Sequence, residues 1–255
     1  MPESTNYQAR WQERAKKFPP GLRAVLFQGL PYSLNEAIHD WHCRVITRQL
    51  LPLLPKAGRV LDVGAGYGRL SRIIKKERPD LEVIGIDFSH DFCRVYQQET
   101  GPAICADIHH LPLAPHSNDA LLIVTVLMYT QGDTQAIART LIEQLKPGGI
   151  ALFIEPGYEL ITWLQKLNSG YQHKTTGGKG FTQEAFLHLL DNASCTILGK
   201  GSNIGFTLAL PLLIPLNKIP SLGSFLAKVI AQTDAAFNFY TRLSLHRWLM
   251  VQRYE

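Results

Sequence analysis

The chain has 255 residues, 45% of them hydrophobic and 18% charged, and a net charge of +5. That length and apolar content allow one domain, or at most two, with a sizeable buried core, and they exclude intrinsic disorder, collagen and coiled coil. No stretch reaches the roughly 18 uninterrupted apolar residues of a spanning helix, and the opening MPESTNYQARWQERAKKF lacks the apolar core of a signal peptide, so a cytoplasmic protein is expected.

Cys43, Cys93, Cys105 and Cys195 form no C-x-x-C, which leaves neither a zinc ribbon nor a redox pair and predicts reduced, mostly buried thiols. The densest basic group, Arg69, Arg72, Lys75, Lys76 and Arg78, reads as the solvated face of one helix rather than a nucleic-acid footprint.

In chain order, Ser33 and Glu36 fit a capping box for a helix with the apolar stripe Leu34, Ile38, Trp41 and Val45. Residues 1–55 are therefore expected to form an N-terminal helical cap, and residues 56–255 the core domain. Five β-rich runs follow: RVLDV at 59–63, EVIGID at 82–87, AICAD at 103–107, ALLIVTV at 120–126 and GIALFIE at 149–155. Amphipathic stretches lie between them, such as Leu70, Ile73 and Ile74, then Ile137, Leu141 and Leu145. Nearly all-apolar strands alternating with helices predict a doubly wound α/β fold, a mostly parallel sheet covered on both faces. Thr182 then caps a helix carrying Phe186, Leu189 and Leu190, ahead of a strand-like CTILG and a final RWLMVQRY. Between these last two runs lies an apolar insertion at about 204–240, where Pro211, Pro215 and Pro220 argue against one long helix. The insertion is expected to pack against the sheet, to cover an apolar acceptor, or to make transient contact with a membrane surface.

The chemistry is concentrated in VLDVGAGYG, Val60 to Gly68, a strand running into a glycine-rich turn. Gly64, Gly66 and Gly68 let the backbone turn tightly and let a ligand approach. Asp87 ends the next strand at the spacing where a carboxylate grips two ribose hydroxyls. Together they imply a bound nucleoside. A dinucleotide would place its pyrophosphate at the helix N-terminus, where Asp62 opposes it, and Arg69 stands where that fingerprint would close with glycine. S-adenosylmethionine has no phosphate and bears a sulfonium and an ammonium, which Asp62 attracts.

With GIDFS at 85–89, ADIHHLPLAPHSNDALLIV at 106–124 and LKPGGIALFIE at 145–155, the chain resembles the class I, seven-stranded S-adenosylmethionine-dependent methyltransferases, of the small-molecule branch called type 11. The resemblance covers Val60 to Tyr158 well and the tail more loosely. It implies that Gly64, Ala65 and Gly66 pass under the methionine end of the cofactor, with Asp62 near its ammonium. Asp87 takes the ribose, Phe88 lies against the adenine, Asp107 and the amide of Ile108 read the adenine edge, and Thr125 and Val126 approach the sulfonium. The product would be S-adenosylhomocysteine.

Many family members carry histidine just after the fourth strand, where LMYT puts Tyr129. Tyr129 is therefore the candidate catalytic residue, and Tyr32, Trp41 and Tyr129 are the candidate substrate walls. The N-P-P-Y or D-P-P-Y run of base-amino methylators and the Pro-Cys nucleophile of cytosine methylators are missing, which disfavours a nucleic-acid partner. No metal site is expected, and Asp107, Asp119 and Glu155 are given structural or cofactor roles. His39 and His42 flank Trp41, His109 and His110 follow Asp107, His173 falls in a loop and His246 introduces the last strand, each a weak candidate base. The expected reaction transfers a methyl group to an O, N or C nucleophile of a small apolar or aromatic acceptor. A nicotinamide-dependent oxidoreductase and a non-catalytic nucleoside-binding protein are the alternatives.

Overall fold

A computed structural model describes residues 7–254 except 131, 161, 163–177, 179, 217 and 218, so His173 lies outside the described residues. Seven strands form one sheet: β1 (Arg59–Val63), β2 (Glu82–Asp87), β3 (Ala103–Cys105), β4 (Asn118–Val124), β5 (Leu145–Pro156), β6 (Cys195–Ser202) and β7 (His246–Arg253). Their order is β3-β2-β1-β4-β5-β7-β6, with β7 antiparallel to both neighbours and the other pairs parallel. The central strands are apolar on both faces because both are covered. Val60, Val83, Leu122, Leu152 and Met250 pack on one side, and Leu61, Val63, Leu121, Ile123 and Phe153 on the other.

The helices are α1 (Tyr7–Lys17), α2 (Leu22–Val25), α3 (Tyr32–Val45), α4 (Arg69–Glu77), α5 (His90–Glu99), α6 (Thr134–Glu143), α7 (Gln183–Leu187), α8 (Ile204–Leu216) and α9 (Pro220–Asp234). The α3 stripe of Leu34, Ile38, Trp41 and Val45 is buried as its spacing predicts. Its start differs: the helix begins at Tyr32 after Pro31, so Ser33 lies inside the first turn instead of capping it. Thr182 does cap α7, its side chain accepting the Ala185 N–H. The predicted third and fourth strands each end earlier, at Cys105 and Val124, which frees Asp107, Thr125 and Val126 as loop residues beyond the strand ends.

Two expectations on burial are corrected. Only Cys93 is buried, Cys105 being exposed and Cys43 and Cys195 intermediate, although all four thiols are free. Arg69 is not on the solvated face of α4 but buried beneath α3, because it occupies the first helical position where the chain turns in from β1. The insertion forms α8 and α9, which pack on each other and, through α9, on α3. Pro211 and Pro215 sit within α8, which ends at Leu216, and Pro220 opens α9 at its first position. The Asp234 carboxylate accepts the Gly205 and Phe206 N–H groups at 2.8 and 2.6 Å, tying the end of α9 to the start of α8.

Candidate active site

Parallel register gathers the chemistry at one edge of the sheet. Val63 lies opposite Ile86 and Ile123, so the chain leaves β1, β2 and β4 side by side. There the turn after β1, Asp87, the loop after β3 and the Thr125–Val126 segment line a cavity of about 500 Å³, outside the C-terminal strand ends where open α/β sheets bind ligands.

The turn requires its glycines. Gly64 has φ +68°, and a methyl group there would fall 2.3 Å from Val126 Cγ2; Gly66 has φ +56°. The Gly66 N–H donates to Asp87 Oδ2 at 2.9 Å and the Ser89 N–H to Asp87 Oδ1 at 2.8 Å, so two loops fix this carboxylate. Asp62 accepts the Ser71 hydroxyl at 2.5 Å. Burial pushes both Asp62 and Asp87 up to about 6, against the hydrogen bonds that favour their charged forms. Asp107 is more open: the amide and ring of His109 donate to its Oδ1 at 3.0 and 2.6 Å, and against a smaller burial penalty these bonds hold it below the usual carboxylate range.

Of the residues expected to hold the cofactor, Asp62, Gly64, Ala65, Gly66, Asp87, Phe88, Asp107, Ile108, Thr125 and Val126 all line this cavity. Gly68 does not; its φ of +86° starts α4 against Thr100 and Tyr96. Tyr129 lines the cavity, whereas Tyr32 and Trp41 do not. Trp41 is 1% exposed and packs against both His42 and His246 in the core, because the apolar stripe of α3 faces the sheet and not the cavity. Tyr32 stands half exposed at the start of that helix.

Several lining residues were not singled out from sequence. Tyr7, Gln8 and Trp11 of α1 and Val25 of α2 also line the cavity. The ring of Tyr129 sits edge-on to Tyr7 and Trp11, with centroids 5.6 and 5.3 Å apart. Gln12 donates to Asp91 at 2.8 Å, and the buried Arg14 donates to the Arg23 and Leu26 carbonyls, which pin α1 to α5 and α2. The aromatic pair Tyr7 and Trp11, one helical turn apart, was the available signal.

In the cavity wall, Thr125 adopts φ +57°, strained for a β-branched residue. Its turn rests on Glu155, whose Oε1 accepts the Val126 and Leu127 N–H groups at 2.9 and 2.7 Å. Burial pushes Glu155 up to about 8, so it is neutral near pH 7. Arg69 also reaches the cavity, but its guanidinium is turned to His39 Nδ1 at 3.0 Å and His42 Nδ1 at 3.2 Å. Burial, reinforced by this cation, keeps His39 down at about 4, His42 well below its usual value and His246 at about 3. All three are held neutral and are poorly suited to act as bases; His39 and His42 face Arg69, and among the described residues neither ring nitrogen of His246 has a hydrogen-bond partner. His246 lines a small annexe of about 30 Å³ that shares Val25, Thr125 and Tyr129 with the main cavity.

The donor set is a test of what fits. Among the described residues, three carboxylates converge on the cavity and the one lining guanidinium is engaged by two histidines, so the pocket suits a cationic ligand with hydroxyls and opposes a pyrophosphate. Among the described residues, no group of three or more His, Cys, Asp or Glu is placed to hold a metal ion.

The seven-stranded sheet, and a cavity at its C-terminal strand ends, are similar to those of Rossmann-like S-adenosylmethionine-dependent methyltransferases. Residues 61–153 match the family described as methyltransferase domain. Over 151 residues the chain is 30% identical to a ubiquinone/menaquinone biosynthesis C-methyltransferase of Syntrophotalea carbinolica, covering 54% of this chain and 62% of that protein. It is 32% identical over 120 residues to a malonyl-[acyl-carrier protein] O-methyltransferase of Herminiimonas arsenicoxydans, covering 46% and 45% of the two chains. A tRNA (carboxymethyluridine(34)-5-O)-methyltransferase of Arabidopsis thaliana is 28% identical over 104 residues, covering 40% of this chain and 25% of that one. The chain thus spans less than two thirds of the length of each relative. Among solved structures, the plantazolicin methyltransferase BpumL in complex with S-adenosylhomocysteine shares the fold at TM-score 0.60 and 16% identity, covering 99% of this chain and 97% of that one.

Proposed function

We propose that the protein catalyses methyl transfer from S-adenosylmethionine to a small apolar or aromatic acceptor. The observation that carries this reading is one cavity with two unlike halves: three carboxylates on the strand-end side and the rings of Tyr7, Trp11 and Tyr129 on the other. Asp62 attracts the ammonium, Asp87 accepts from the ribose hydroxyls and Asp107 accepts from the adenine amino group. Phe88 and Ile108 flank the adenine.

When bound, the cofactor supplies an electrophilic methyl on a sulfonium, and its sulfur leaves neutral as the nucleophile takes the methyl. The protein's share is alignment and exclusion of water. The turn at Thr125 and Val126, held from below by Glu155, sets the wall beside the reacting centre. Helix α1 closes over it. Tyr129, at the boundary of the two halves, orients the acceptor through its hydroxyl.

Quinone-type and acyl-carrier-bound acceptors of the curated relatives agree with an apolar half-pocket. A polynucleotide suits it less, because the aromatic side chains of α1 line the half away from the carboxylates. Incubation of the protein with deuteromethyl-labelled cofactor and either a metabolite extract or tRNA, followed by mass spectrometry, tests the proposal. Label in a small lipophilic product is expected. Label in tRNA alone, or none in either, contradicts it.

A further inference from the structure

We propose that the annexe beside Tyr129 binds a carboxylate carried by the methyl acceptor, with Arg14 and His246 as its partners. The assignment rests on the methyl-transfer reading of the main cavity and deepens it by naming the class of acceptor. Arg14 of α1 and His246 at the start of β7 line the annexe together with the apolar side chains of Leu26, Phe27, Met128 and Pro156 and the exposed Gln28. Val25, Thr125 and Tyr129 belong to both spaces, so one molecule can extend from the aromatic half of the main cavity into the annexe.

Two buried side chains there lack partners that burial ordinarily demands. His246 is fully buried, and among the described residues neither of its ring nitrogens has a hydrogen-bond partner. Its position is fixed by other means: the backbone N–H donates to Asn203 Oδ1 at 2.8 Å, and the ring packs against Phe27, Trp41 and His42. Burial keeps the imidazole neutral, which leaves it one N–H to donate. Arg14 is 8% exposed; its guanidinium donates to the Arg23 and Leu26 carbonyls and lies 4.9 Å from the Trp11 ring centroid, while its Nε has no partner. Among the described residues no carboxylate pairs with it. Arg14 is therefore a buried cation met only by backbone dipoles and a ring, and burial pulls its pKa down.

Charge and size select the occupant. A carboxylate offsets the Arg14 charge, and its two oxygens accept from Arg14 Nε and the His246 ring N–H. The annexe, at about 30 Å³, has room for about two water-sized groups, which suits two oxygens and excludes a ring. An ammonium would meet a like charge, and a neutral amide of the same shape would leave Arg14 uncompensated. Asp62, Asp87 and Asp107 line the main cavity but not the annexe. The acidic rim thus faces a cationic cofactor and the basic annexe an anionic acceptor.

Isothermal titration calorimetry of the full chain near pH 7, with and without S-adenosylhomocysteine, tests this with benzoate and its uncharged analogue benzamide as probes. The wild type is expected to bind benzoate at least roughly 10-fold more tightly than benzamide, the difference a charge-assisted hydrogen bond supplies. His246→Phe keeps a ring in the core and removes both nitrogens. It is expected to melt no lower than the wild type, because it replaces unpartnered polar atoms with apolar ones, while losing most of the preference for benzoate. His246→Gln restores a donor and is expected to keep part of that preference. Equal binding of the two probes by the wild type, or full wild-type affinity for benzoate in either variant, overturns the proposal. Binding of S-adenosylhomocysteine without benzoate refutes the annexe assignment alone. Binding of benzoate without S-adenosylhomocysteine keeps the anion site and contradicts methyl transfer.

Discussion

At the scale of single residues, Glu155 is the group whose charge state bears most on the folded site. Its carboxyl rises from the usual range to about 8 on folding, because burial outweighs the N–H groups it accepts. The folded state therefore holds a proton that the unfolded chain releases near pH 4.5. Stability from this residue is fully present below that pH and is lost as pH rises through 8. Glu155→Gln keeps an acceptor for Val126 and Leu127 but cannot ionise. Urea denaturation between pH 5 and 8 should show the wild type losing up to about 1.4 kcal/mol per pH unit relative to the variant. Parallel curves would show that Glu155 is already ionised in the fold. Gly64, Gly66, Asp62 and Asp87 were legible in the strand–turn–helix run and its spacing, and Asp107 through the family resemblance, and all five line the cavity. Arg69, Glu155 and His246 were not, since their roles arise from burial under segments distant in the chain.

At the scale of elements, the central strands read clearly because a strand covered on both faces must be apolar throughout, whereas β3 at the sheet edge is only partly buried. Helix α1 did not. It is mostly polar, and its contribution rests on two aromatic side chains and two tethers, Gln12 to Asp91 and Arg14 to the α2 backbone. The sequence pointed instead to α3, whose apolar stripe is stronger but faces the core, and so Trp41 was assigned to a wall it does not form. A helix held by few contacts over a ligand site opens readily and is held closed by occupancy. Hydrogen exchange over residues 7–17 is expected to slow when S-adenosylhomocysteine binds. Trp11→Ala should reduce that protection and weaken binding by roughly 10-fold while leaving global stability near wild type. Unchanged exchange on binding would remove α1 from the closure of the site.

At the scale of the molecule, one sheet edge joins a carboxylate-rimmed half-pocket to an aromatic one, and the antiparallel β7 brings His246 to the annexe that shares Val25, Thr125 and Tyr129 with them. The order of motifs made the nucleoside half legible. The acceptor half was not, because it is assembled from α1, α2 and the segment after β4, which no short run of sequence contains. The central claim is that the carboxylate rim binds S-adenosylmethionine, and isothermal titration calorimetry tests it most directly. The wild type should bind S-adenosylmethionine and S-adenosylhomocysteine in preference to NADH. Asp87→Ala, with its fold confirmed by circular dichroism, should bind both roughly 10-fold to 100-fold more weakly, the loss expected for charge-assisted hydrogen bonds to a ligand. Equal affinity of wild type and variant, or preference for NADH, would contradict the account.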